Sequence, residues 1–92
     1  MKEAIAKLYF TAIDGHTFKV PTTLEWFTCT KGCNPNDWSI HIRYLEPIQP
    51  DGTVMAKIDF LTADANYLLK PGTKFQLLGA FSQFKCQVEV IE

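Results

Sequence analysis

A two-residue rhythm of apolar and polar side chains runs through most of this sequence, and it leaves few folds open. Trp38, Ile40, Ile42 and Tyr44 alternate with Ser39, His41 and Arg43, and Val54, Ala56, Ile58 and Phe60 alternate with residues that include Lys57 and Asp59. Ala4, Ala6, Leu8, Phe10 and Ala12 recur in the same way, with Lys7 and Thr11 between them. Successive side chains of an extended chain point to opposite faces, so each run specifies a strand with an apolar inner face and a polar outer one. On this reading Lys57, Asp59, His41 and Arg43 all belong to solvated faces.

Turn residues punctuate the rhythm. Asp14-Gly15 ends the first strand, and a short second one from His16 to Val20 stops at Pro21, which has no amide hydrogen to donate to a sheet. Leu24 to Thr28 forms a further extended piece, and the polar stretch from Cys29 to Asp37 reads as loop. Two prolines and Asp51-Gly52 separate the strands beginning at Trp38 and Val54. Asp64 to Leu69 suits one helical turn, and Pro71-Gly72 then reverses the chain into the last two strands, Lys74–Leu78 and Phe84–Ile91. Six or seven short strands with turns at such intervals make a sandwich or a small barrel. The chain has 92 residues, so a single domain over 1–92 is expected, hiding roughly 60–65 % of its unfolded surface. Closure is then the economical way to leave no long bare edge. The predicted fold is all-β, a small closed Greek-key β-barrel of about six strands.

Charge narrows the partners. Nine basic residues face ten acidic ones, Arg43 is the sole arginine, and no basic block exists. Phosphate-backbone binding depends on clustered Lys and Arg, so nucleic acid is not the expected partner. No apolar stretch approaches the ~20 residues that span a bilayer, and the N-terminal residues alternate instead of forming a signal-peptide core. The expected setting is cytoplasmic, away from membranes.

Val54 to Leu61, then Leu69 to Leu78 with Gly72, Lys74 and Phe75, then Cys86 to Ile91 resemble the closing strands of the C-terminal barrel of elongation factor Tu. Ala6 to Thr11 and the turn at Asp14-Gly15 resemble that barrel's opening strand. The resemblance implies a six-stranded barrel standing alone. It does not extend to tRNA binding: the family's arginine-bearing turn and stretch correspond here to Gly15–Phe18 and Thr22–Phe27, which contain no arginine.

Three groups of residues invite a chemical reading. Cys29 and Cys33 share a loop, and with His41 they would be the ligands of a metal, but His16 and Cys86 are too scattered to complete the four that zinc commonly takes. Cys33, His41 and Asp37 are the residue types of thiol catalysis, without a motif to unite them. Cys86 alternates with Phe84 and Val88 and reads as a core residue. No cofactor is implied. The aromatics carry more. Trp26 and Phe27 are adjacent in a strand, so one ring must point outward unless the Cys29–Asp37 loop covers it. Trp38 stands across that loop, and Phe81 at the tip of the last hairpin is a second exposed candidate. Aromatic side chains dominate interface hot spots. The expected function is therefore a non-catalytic interaction module that binds a protein partner or itself, as an accessory or immunity-type protein would. Trp26, Phe27, Trp38 and Phe81 are the contact residues. Single-stranded nucleic-acid binding by aromatic stacking is the alternative, and a thiol or metal site the third.

Overall fold

The computed structural model describes residues 3–12, 24–33, 36–78 and 84–92. The chain forms β1 (Ala4–Ala12), β2 (Glu25–Lys31), β3 (Ser39–Tyr44), β4 (Thr53–Phe60), a 3-10 helix (Ala63–Leu69), β5 (Lys74–Leu77) and β6 (Phe84–Val90). All pairings are antiparallel, and the order β1-β4-β3-β2-β5-β6 closes on itself as a barrel. Strands β2, β3 and β4 are consecutive neighbours and β1 returns beside β4, which is a Greek key. The predicted strand His16–Val20, and Phe81, lie outside the described residues.

The alternation does what it specifies. Ala4, Ala6, Leu8 and Phe10 of β1, Ile40, Ile42 and Tyr44 of β3, and Val54, Ala56, Ile58 and Phe60 of β4 are all buried, with Phe75, Leu77, Cys86, Val88 and Val90 closing the far wall. Burying each large aliphatic side chain contributes about 1.5–3 kcal/mol. The turns follow equally local rules. Thr73 N donates to Lys70 O at 3.1 Å, with Pro71 second and Gly72 third in the turn; Gly72 has φ +89°, the backbone that the third position of a type II turn demands. The helix over 63–69 starts at Thr62, whose hydroxyl accepts from Asp64 N, and it buries Ala65, Leu68 and Leu69 against one end of the barrel.

Strand β2 departs from the sequence expectation. It begins at Glu25 and continues through Cys29, Thr30 and Lys31, which composition marks as loop. Thr30 is the reason. Its side chain is fully buried, its hydroxyl accepts from Trp38 N at 2.8 Å, and it pairs with Leu77 of β5. A polar residue thus sits on the inner face because its hydroxyl is satisfied there. The seam it makes is short: β2 and β5 pair only at Thr30–Leu77 and Lys31–Gln76, whereas β1 pairs with β6 from Ala6 to Ala12. Among the described residues no helix is long and apolar enough to cross a membrane.

Candidate functional site

The outer wall of β2, β3 and β4 carries the most distinctive chemistry of the barrel. Antiparallel register places Phe27 opposite His41 and His41 opposite Asp59, so three outward side chains form one row across three strands. The next row is Glu25, Arg43 and Lys57. Within this grid His41 Nε2 lies 2.9 Å from Glu25 Oε2 and its Nδ1 lies 3.0 Å from Asp59 Oδ1. Phe27 stacks on the imidazole, with centroids 4.5 Å apart and planes inclined by 18°.

The consequence is a polar cluster turned into a buried one. Only 14 % of the His41 side chain is exposed and 12 % of that of Asp59, against 58 % for Glu25. The expectation that Asp59 and His41 belong to a solvated face is therefore corrected. An outward position on a sheet is shielded when neighbours on both sides, and a ring above, close over it. Arg43 does remain exposed. A neutral imidazole has one N–H, so both contacts are hydrogen bonds together only when His41 is an imidazolium or one carboxyl holds the proton. Removing the imidazole would leave two carboxylates facing a gap, the costly way to break such a cluster.

The adjacent pair in β2 resolves as the strand period requires. Trp26 turns inward, its Nε1 donating to Tyr44 Oη at 3.0 Å and its ring 6.4 Å from that of Phe10. Burial pushes the Tyr44 phenol up to about 12. Phe27 turns outward and is 62 % exposed. Trp38 also packs on the core, donating from Nε1 to Tyr67 Oη at 3.1 Å in an edge-to-face contact. The two tryptophans are not gathered together. Trp26 lies opposite Ile42, while Trp38 lies at the level of Thr30, four residues or about 13 Å further along β2. They plug opposite ends of the barrel.

Sequence reasoning missed what surrounds Phe27. Leu78 N donates to Cys29 O at 2.9 Å and Leu61 N to Ser39 O at 3.1 Å, so Leu78, Cys29, Ser39 and Leu61 follow one another across β5, β2, β3 and the end of β4. Leu61 is 56 % exposed and Leu78 47 %. The signal was present: Trp26-Phe27, Phe60-Leu61 and Leu77-Leu78 are three apolar doublets in a sequence of period two. Each sends its first member inward and its second outward.

The thiols do not converge on His41. Cys29 is exposed, with Sγ 4.0 Å from Ser39 Oγ, and Cys33 packs on the edge of the core. Asp37 Oδ1 accepts from Cys33 N at 2.9 Å and from the Thr30 hydroxyl at 3.4 Å, so it holds the loop. Both nitrogens of His41 are engaged elsewhere. Cys86 is buried, and burial pushes its thiol up to about 12. All three cysteines are unbridged, and among the described residues no three His, Cys, Asp or Glu side chains are arranged to hold a metal ion. Compared with protein-family profiles, curated proteins and solved structures, the chain matches none.

Proposed function

We propose that the protein is a non-catalytic interaction module that binds a protein partner, or a second copy of itself, through the outer face around Phe27. The observation that supports this reading is the pairing of two exposed apolar side chains on neighbouring strands: Phe27 on the outer face of β2 and Leu78 at the end of β5, beside Cys29. Their exposed apolar area is on the order of 200 Å². It suits a transient interface and not an obligate one. Phe27 is held by its stack on His41, so little rotamer freedom is lost when a partner covers it. Phe81 stays with this proposal as a second contact, and Trp26 and Trp38 support the wall from within.

Nucleic-acid stacking has less behind it, because the tryptophans face inward and Arg43 stands beside Glu25. The resemblance to the elongation factor Tu barrel belongs with the proposal too, supported by closure of six strands in a Greek key. So does a cytoplasmic setting, supported by three free thiols.

An environment-sensitive fluorophore on Cys29 reads the face directly. Self-association with rising concentration, or a shift on adding a purified partner, is expected and is abolished by Phe27→Ser. A face that reports no contact at millimolar protein, with no partner whose capture depends on Phe27, sinks the reading.

A further inference from the structure

A cavity of about 470 Å³ opens at the end of the barrel between the close of β2, the 3-10 helix and β5. It is separate from the Phe27 face and is rich in hydrogen-bond donors. Lys31 and Lys74 both line it, and so does the amide of Gln76. Register fixes their relation. Lys31 is the direct cross-strand partner of Gln76, and Lys74 lies two residues before Gln76, on the same side of β5. That makes the two lysines diagonal neighbours, about 7–8 Å apart at the backbone and within reach of one anion.

Among the described residues no carboxylate lines this cavity. Two acids stand nearby in the fold, and neither is within ion-pair distance of these lysines. Asp37 accepts from Cys33 N and the Thr30 hydroxyl, and Glu89, the cross-strand partner of Lys74, accepts from Tyr9 Oη at 3.1 Å. Among the described residues neither ammonium makes an ion pair. Two like charges on neighbouring strands repel each other, so their juxtaposition costs free energy that an anion between them recovers. The remaining walls are flat and apolar. Leu68 and Phe75 contribute from below, and the Tyr67 ring, 43 % exposed, stands at one side with its hydroxyl accepting from Trp38.

From this arrangement we infer that the cavity binds a small phosphorylated organic molecule. The phosphate lies between Lys31 and Lys74, and the organic group rests against Tyr67 and Leu68. Charge-assisted contacts to the phosphate supply the larger part of the recognition. The small-molecule class follows from the size of the cavity, which lies in the usual range for such ligands, and from the absence, among the described residues, of any further basic residue lining it. A nucleic-acid strand would need a continuing track of positive charge.

The experiment titrates the protein at low ionic strength with inorganic phosphate, phenyl phosphate and phenol, following backbone amide resonances. Saturable shifts at Gly32, Cys33 and Gln76 are expected with phenyl phosphate, weaker ones with phosphate, and none with phenol. Lys31→Glu and Lys74→Glu each weaken phenyl phosphate at least tenfold, while Lys85→Glu on the outer face of β6 does not. These lysines are exposed, so the variants keep the fold, which their spectra verify. Non-saturating shifts, shifts shared among all lysines, or equal affinity in the variants overturn the inference. Affinity that climbs with the length of an added oligonucleotide overturns it as well, in favour of a strand-binding groove.

Discussion

Two walls of the same barrel arrange an aromatic ring and its charges in opposite orders. On the β1–β6 wall, Tyr9 points outward with its hydroxyl donating to Glu89, and the Lys7 ammonium lies 5.3 Å from the ring centre. There the charges sit outside and cover the ring. On the β2–β3 wall the ring sits outside and covers a polar side chain: Phe27 lies over His41, which is held between Glu25 and Asp59. The first wall presents ions to water and asks for nothing. The second presents a hydrocarbon ring laid on a polar cluster in which His41 and Asp59 are shielded and Glu25 reaches water. Composition alone does not distinguish the two, since both combine an aromatic residue, a basic residue and a carboxylate; the order of stacking does.

The contrast can be broken experimentally, most severely at His41. His41→Ala leaves Asp59 and Glu25 without their shared partner and is expected to cost about 2–3 kcal/mol in urea denaturation. A loss under about 0.5 kcal/mol would return His41 to an ordinary surface role. Next in size is an effect of alkali on the inner face. The thiol of Cys86 and the phenol of Tyr44 are pushed up to about 12 from ordinary values of 9.0 and 10.0. Folded values above the unfolded ones mean that this contribution is whole below about pH 9 and is lost as pH rises towards 12. The urea midpoint is therefore expected to stay level to pH 9 and fall beyond it, later in Cys86→Ala than in the parent. A midpoint still level at pH 11 contradicts the burial of both groups. Phe27→Ser should change stability by under about 1 kcal/mol while removing association at the Cys29 probe, which separates the surface from its foundation. Smallest of all is Tyr9→Phe. It removes one part-buried hydrogen bond at the surface, and the expected loss is below about 0.5 kcal/mol with association untouched. A larger loss there would erase the difference between the walls.

How much of this could be read from the chain differs along it. The inner faces of β1, β3 and β4 are legible residue by residue, because a strand's period is two and nothing beyond the strand is needed. The turns at Gly52 and Gly72 are legible for the same local reason. What lies outside is set by register, which relates residues far apart in sequence. Nothing near Phe27 announces that Leu78 stands on the neighbouring strand beside it, and nothing near Asp59 announces that His41 and a ring will shield it. Trp26 and Trp38 mislead in the opposite sense. They flank one loop in sequence, yet β2 carries on through Thr30 and sets them at opposite ends. A buried threonine inside a polar stretch was the deciding residue, and its hydroxyl needed Trp38's amide to make the position tolerable.

The closure of the barrel has a kinetic side. β1 is held between β4 and β6, and its pairing with β6 joins Ala6 to Val90 and Lys7 to Glu89, residues more than eighty positions apart. During synthesis from the N-terminus, β2, β3 and β4 can pair as they emerge, but β1 keeps a bare edge until the last strand has left the ribosome. Loop entropy must be met in full before that final ladder returns anything, which places folding in the slow range of β-rich domains, on the order of milliseconds to seconds. For that interval the protein is an open sheet, with Leu8 and Phe10 uncovered, and it depends on its own C-terminal strand arriving before another chain's strand does.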